Sequence, residues 1–264
     1  MIIKYVKDLA DVLNVGDRFR VRNGAWYGII KAKDDTGITV DAYRDYACKN
    51  IVTTVHHFFD TRIDLEIDII YRDRKIVFDC DDILWPLNER IAKAIGVKFS
   101  DLHTFSIFEN TRLSKSQRNQ VYAAYGDFHT FKHINWYAGA ETIMDLENHG
   151  KGVKVFVNSN SCQEEIAALK YMQIHQLIDI SDDQLILNVI DADGHKKKDI
   201  GDHVFAFIDD SPHNLLDAST KAEHLYTINT PWNINVPELD GLNIKRFDTL
   251  EEIIDDIGKL LDEK

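Results

Sequence analysis

The chain is poor in cysteine. Among 264 residues there are three, Cys48, Cys80 and Cys162. They are odd in number, widely separated and without metal-ligand spacing, which excludes a disulfide scaffold and reads as reduced thiols. No continuous apolar run approaches the ~20 residues needed to span a bilayer. Asp8 and Asp11 interrupt the apolar N-terminal residues, a pattern unlike a signal peptide. The expected setting is cytoplasmic, with no membrane partner. Cationic residues are outnumbered, 31 Lys and Arg against 44 Asp and Glu, for a formal net charge of -13. Proteins that track nucleic-acid backbones neutralise phosphates with clustered Lys and Arg, so extended nucleic-acid binding is not expected. A small anionic substrate held through a metal remains compatible. There is no internal repeat and no low-complexity segment.

What is present is an ordinary globular composition, 44% apolar. That suffices for one large domain, or for a medium domain with a small module. From Val15 to about Tyr43 the pattern is short, alternating and punctuated by turns. Asn23-Gly24 between alternating runs is a hairpin signal, and Asp34-Asp35-Thr36-Gly37 supplies a second turn before Ile38-Thr39-Val40. A small β module over 1–62 is expected, an SH3-like barrel or a meander. Its default role is a structural or oligomerisation appendage, which leaves room for a homo-oligomer. Adjacent His56 and His57 would point to opposite faces of a strand, which suits packing or surface positions better than a metal pair.

Residues 63–264 read differently. Asp64 to Tyr71 is a strand of unassigned sheet, and Lys75 to Leu84 follows as an apolar run ending in Asp79, Asp81 and Asp82. Crowded carboxylates raise one another's pKa unless a cation lies among them, so the stretch suggests a hard divalent ion. A helical, aromatic-rich block over about 88–138 comes next, with Ser114 to Gln117 in the form of a capping box. Strands then alternate with helices. Val153 to Val157 runs into Asn158-Ser159-Asn160-Ser161, Gln163 to Leu177 is amphipathic, and Leu185 to Ile190 is a strand. After the turn at Asp193-Gly194 and Lys196-Lys197-Lys198, Val204 to Ile208 ends in Asp209-Asp210. Leu225 to Ile228 and a helix from Leu250 to Leu261 close the chain. Such alternation implies a parallel sheet with right-handed crossovers.

Strand ends of a parallel sheet share one edge, where α/β proteins bind ligands. That edge would gather Asp79 and Asp81, Ser159, and Asp209 with Asp210. A carboxylate can attack phosphorus, and a second can protonate the leaving oxygen and then activate water. Hydroxyl and ammonium donors, Ser159 and a lysine of 196 to 198, can hold phosphoryl oxygens. The carboxylates suit Mg²⁺, which prefers oxygen ligands together with water and phosphate. Cys80 between the aspartates has no neighbouring His to activate it. Asp191-Ala192-Asp193-Gly194 starts like a calcium loop but lacks the required Glu.

Asp79-Cys80-Asp81, the strand closing on Ser159, the downstream lysine and Ile208-Asp209-Asp210-Ser211-Pro212 resemble, in order, the four motifs of the haloacid dehalogenase (HAD) superfamily. The resemblance implies a Rossmannoid sheet with a small helical cap, Asp79 as nucleophile and Asp81 as acid/base. It places Mg²⁺ on Asp79, the Asp81 main chain, and Asp209 or Asp210. Asp81 to Asn88, Trp136-Tyr137-Ala138-Gly139-Ala140 and Thr230-Pro231-Trp232-Asn233 are similar to the 5'(3')-deoxyribonucleotidase branch. By that likeness Asn160 touches phosphate; among the three lysines Lys198 fits the spacing to Asp209 best, with Lys197 second, and Phe105, Phe108 or Trp136 is expected to stack a base. Asp82 stands where the branch usually has Gly, Ile83 where Thr or Val is usual, and Ala138 where Pro is common. The expected activity is Mg²⁺-dependent dephosphorylation of nucleoside monophosphates. The alternatives are a sugar phosphate, a nucleic-acid 3' phosphate, or a non-catalytic scaffold with a β docking module.

Overall fold

The structure is a computed structural model describing residues 2–13, 18–22, 27–44, 51–58, 60–70, 74–150, 152–189 and 204–262. It divides into two units, Met1–Asp73 and Arg74–Lys264. The first contains β1 (Ile2–Tyr5), α1 (Val6–Val12), β2 (Arg18–Val21), β3 (Tyr27–Lys33), β4 (Gly37–Tyr43), β5 (Ile51–Phe58) and β6 (Arg62–Ile70). Its strands form one antiparallel sheet in the order β1-β6-β2-β3-β4-β5. The strand that the sequence left unassigned is therefore β6, paired with both β1 and β2. The boundary falls after residue 73 and not at 62/63. Periodicity shows that a segment is extended, but pairing partners decide its sheet.

Local chemistry shapes this unit. Asp34 Oδ1 accepts from Thr36 N–H at 2.7 Å, Thr36 Oγ1 at 2.6 Å and Gly37 N–H at 3.0 Å, and these bonds hold its carboxyl below the ordinary value. At Gly37 a Cβ would lie 2.0 Å from the His57 carbonyl oxygen, so only glycine lets β5 approach. The Asn23-Gly24 turn lies outside the described residues, although β2 and β3 on either side pair antiparallel. Val6, Leu9 and Leu13 at helical spacing pack with Phe19, Ile30, Ile38 and Ile67 into this unit's core. His56 Nδ1 is 3.0 Å from Thr39 Oγ1, in a packing role.

The second unit contains β7 (Arg74–Asp79), α2 (Leu87–Ile95), α3 (Lys115–Tyr125), α4 (Phe128–Phe131), β8 (Val153–Ser161) and α5 (Glu164–Leu177). These are followed by β9 (Leu185–Val189), β10 (Val204–Ile208), α6 (Pro212–Ala218), β11 (Ala222–Ile228), β12 (Ile244–Phe247) and α7 (Leu250–Asp262). The sheet order is β12-β11-β10-β7-β8-β9, and every pair is parallel. Counted from β7, this is the doubly wound 3-2-1-4-5-6 arrangement, whose reversal lies between its first and fourth strands. Alternate residues of β7 serve opposite faces. Ile76 and Phe78 enter the larger core with Val155, Ile166, Ile174 and Ile257, whereas Val77 joins Val204, Phe207, Leu215 and Leu225 on the other side. Burying each such side chain is worth roughly 1.5–3 kcal/mol. Burial on both faces explains why these strands read as continuous apolar runs.

Residues 80–152 separate β7 from β8 and contain the helical insertion expected after the first motif. Its capping box forms: Ser114 Oγ accepts from Gln117 N–H at 3.3 Å and Gln117 Oε1 from Ser114 N–H at 2.9 Å. No described helix is long and apolar enough to cross a membrane.

Candidate active site

The reversal point of the sheet lies between β7 and β10, and both strands end there in carboxylates. Asp79, Asp209 and Asp210 are buried and each offers a carboxylate oxygen within 4.8 Å of the others. Three buried carboxylates repel strongly in a medium of low dielectric, and the oxygen-only donor set fits a hard divalent cation. Asp79, Asp209 and Asp210 would hold it, with the Asp81 main chain as the resemblance implies. Asp209 is fixed by Ser211 N–H at 2.9 Å and by Asn214 Nδ2 at 3.1 and 3.0 Å from its two oxygens. Asp210 Oδ2 accepts from Trp232 Nε1 at 2.9 Å.

The loop after β7 doubles back at once. Leu84 N–H donates to the Cys80 carbonyl at 2.9 Å and Asp82 N–H to the Trp85 carbonyl at 2.8 Å. The Asp81 carboxylate sits between two donors, Trp85 Nε1 at 2.9 Å from Oδ1 and Lys170 Nζ at 2.6 Å from Oδ2. Lys170 Nζ also donates to Ser159 Oγ at 3.0 Å and to the Asn160 carbonyl at 3.0 Å, and lies 5.3 Å from the centre of the Phe131 ring. The lysine is 1% exposed. A buried ammonium is tolerated only when paired and hydrogen-bonded, and here every donor direction is used.

Sequence reasoning missed Lys170, although a signal was present. Ile166, Lys170 and Ile174 fall at i, i+4 and i+8 on the buried stripe of α5. A lysine in mid-stripe must meet an acceptor inside the protein. Lys197 and Lys198, the lysines predicted from spacing, lie outside the described residues.

Asp82 has φ +57, the one non-glycine residue with positive φ among those described. Glycine is the residue best suited to such a left-handed backbone, and Asp tolerates the region better than most others. Its carboxylate accepts from Asn88 N–H at 2.9 Å and Asn88 Nδ2 at 2.6 Å, and Tyr125 OH in turn donates to Asn88 Oδ1. Burial pushes the Asp82 carboxyl well above its ordinary value, and the charges of Asp81 and Asp79 add to this. The Tyr125 phenol is likewise pushed up, by burial first and then by the charges of Asp82, Asp210 and Asp81.

Of the predicted residues, the structure brings Asp79, Asp209 and Asp210 together in one group and Asp81 with Ser159 and the Asn160 carbonyl in another. Asn160 Oδ1 accepts from Asn188 Nδ2 at 3.2 Å. Phe105 and Phe108 are 55% and 57% exposed, and Phe108 packs on Tyr122. Trp136 lines a groove with Ile134, Leu169, Met172 and Gln173. Among the described residues, the rings of Trp85, Phe131 and Trp232 meet the polar cluster.

No family model matches this chain, and no curated protein matches it. Among solved structures, it is similar to a HAD-superfamily hydrolase of subfamily IA from Geobacter sulfurreducens, at 15% identity and TM-score 0.38 over 70% of this chain and 96% of the other. A haloacid dehalogenase-like hydrolase from Streptococcus pneumoniae gives 15% and 0.42 over 69% and 97%. A HAD-superfamily hydrolase from Ehrlichia chaffeensis gives 13% and 0.42 over 73% and 99%. At such identities the weight rests on the chain's own strand order and acidic edge.

Proposed function

We propose that this chain is a metal-dependent phosphomonoesterase of the HAD type. The observation that carries the reading is the pairing of two groups at the reversal point of the sheet, the Asp79, Asp209 and Asp210 carboxylates and the Asp81–Lys170–Ser159 chain. Asp79 attacks the phosphorus of a monoester and forms an aspartyl-phosphate, while Asp81 gives the proton taken by the leaving alcohol. Asp81 then removes a proton from the water that hydrolyses the acyl phosphate. The Ser159 hydroxyl holds a phosphoryl oxygen as charge develops, and Lys170 holds the Asp81 carboxylate and the Ser159 hydroxyl in place. Mg²⁺, when bound, supplies charge neutralisation between the carboxylates and the phosphate.

A nucleoside monophosphate is the substrate favoured by the branch resemblance, with Asn160 on the phosphate and the exposed rings of Phe105 and Phe108 as stacking surfaces for a base. Sugar phosphates are the second reading, because nothing in the carboxylate cluster selects the leaving alcohol. A cytoplasmic setting suits such substrates and the reduced thiols. Phosphate release should be measured with Mg²⁺ across ribo- and deoxyribonucleoside monophosphates, sugar phosphates and 3'-phosphorylated oligonucleotides. Nucleoside monophosphates should be turned over fastest, and Asp79→Asn should abolish release while leaving the unfolding transition in place. Undiminished release by a folded Asp79→Asn would refute the mechanism; preference for sugar phosphates would refute the nucleotide assignment.

A further inference from the structure

The two carboxylates at the end of β10 are held by different chemistry. Asp209 is held by the Asn214 amide and by Ser211 N–H. Asp210 is held by an indole, which donates one hydrogen bond, accepts none and turns only if a large ring moves. That ring is fixed from several sides. Trp232 is 4% exposed, and the Phe99 ring meets it edge-on with centroids 5.6 Å apart and planes at 86°. Its own loop is pinned by Asn233, whose Nδ2 donates to the Asp210 carbonyl at 3.2 Å, the Ile228 carbonyl at 2.9 Å and Thr227 Oγ1 at 3.0 Å. Arg246 donates to Asn233 Oδ1 at 3.3 Å. The donor on Asp210 Oδ2 is thus built into the fold through its backbone, its neighbour and a ring from the insertion.

We propose that Trp232 is a positioning residue, fixing the Asp210 carboxylate so that the site favours Mg²⁺ over Ca²⁺. The inference rests on reading Asp79, Asp209 and Asp210 as a metal centre, and goes beyond it by naming what sets the ion preference. Mg²⁺ demands near-ideal octahedral geometry at short distances, whereas Ca²⁺ accepts variable geometry and longer ones. Rigidity in a ligand therefore helps the smaller ion, and its loss harms the smaller ion more. Trp232→Phe removes the N–H while keeping an aromatic ring for Phe99. Phe99→Leu keeps the N–H and loosens the ring that carries it.

Metal-stripped wild type and both variants should be titrated with Mg²⁺ and with Ca²⁺ by calorimetry, and the unfolding midpoint of each metal-free protein recorded. Trp232→Phe should weaken Mg²⁺ binding about tenfold, in the range for residues supporting metal ligands. Ca²⁺ binding should change less, so the preference for Mg²⁺ shrinks. Phe99→Leu should move the preference the same way by a smaller factor, and it carries the test if Trp232→Phe does not fold. Equal weakening of both ions, or none, would overturn the positioning role, since a merely structural defect has no reason to distinguish them. A wild-type protein that shows no saturable Mg²⁺ binding would instead overturn the metal centre itself.

Discussion

Replacing Lys170 with methionine separates the two lysine assignments most directly. Methionine keeps an unbranched apolar stem within α5 and removes the ammonium. That ammonium donates to Asp81 at 2.6 Å and to Ser159 and Asn160 at 3.0 Å each. Removing one partner of a buried ion pair costs roughly 3–5 kcal/mol when the other is left uncompensated. Here the Asp81 side chain is 21% exposed and keeps its bond from Trp85, so the loss falls at or just below the bottom of that range, about 2–3 kcal/mol. For a unit of this size that lowers the unfolding midpoint by roughly 5–10 °C. The effect on chemistry is separate. Losing the ammonium that fixes the acid/base carboxylate lowers turnover by about 10²–10⁴-fold, the range for general acid–base catalysis. Turnover should be followed by phosphate release well below the midpoint of the variant, beside Lys198→Met in the same assay. Lys170→Met should suffer the larger loss. If it hydrolyses at the wild-type rate while Lys198→Met does not, the ammonium on α5 is structural and the assignment from spacing is the right one.

Two further outcomes follow from local geometry. Because Asp82 sits at φ +57, Asp82→Gly should be more stable than Asp82→Ala by about 1 kcal/mol, the penalty for a Cβ in the left-handed region; chemical denaturation measures the difference, and equal stabilities would refute the strain. Burial pushes the Asp256 carboxyl up, but bonds from Lys245 Nζ at 2.6 Å and Tyr226 OH at 2.7 Å outweigh it and hold the group below its ordinary value. A depressed carboxyl stabilises the fold above its unfolded pKa, and that contribution vanishes as pH falls through the folded one. Asp256→Asn should therefore be less stable at pH 7 by under about 1 kcal/mol, the pair being partly exposed. The deficit should close below about pH 4, and a deficit independent of pH would show that the charge is irrelevant.

The central strands β7 and β10 of the second unit are readable because burial on both faces demands continuous runs such as Ile76-Val77-Phe78 and Val204 to Ile208. The Ser114 capping box was readable because both of its partners lie within one helical turn. Helices α1 and α6 and strand β12 were not assigned from the sequence: each is short, four to seven residues, and carries little periodic signal. The acidic edge followed from strand ends and chain order, so Asp79, Asp209 and Asp210 could be named before their separation was known.

What the sequence determined by itself was the set of groups a short segment can display, namely which strands are buried and which carboxylates terminate them. Tertiary structure alone decided partnership. It joined β6 to the first sheet, placed Lys170 against Asp81 across 89 residues of chain, and set Trp232 on Asp210 across 22. The physical reason is that periodicity reports whether a side chain is buried, whereas the partner that makes a buried charge tolerable is supplied by whichever distant segment the fold packs beside it.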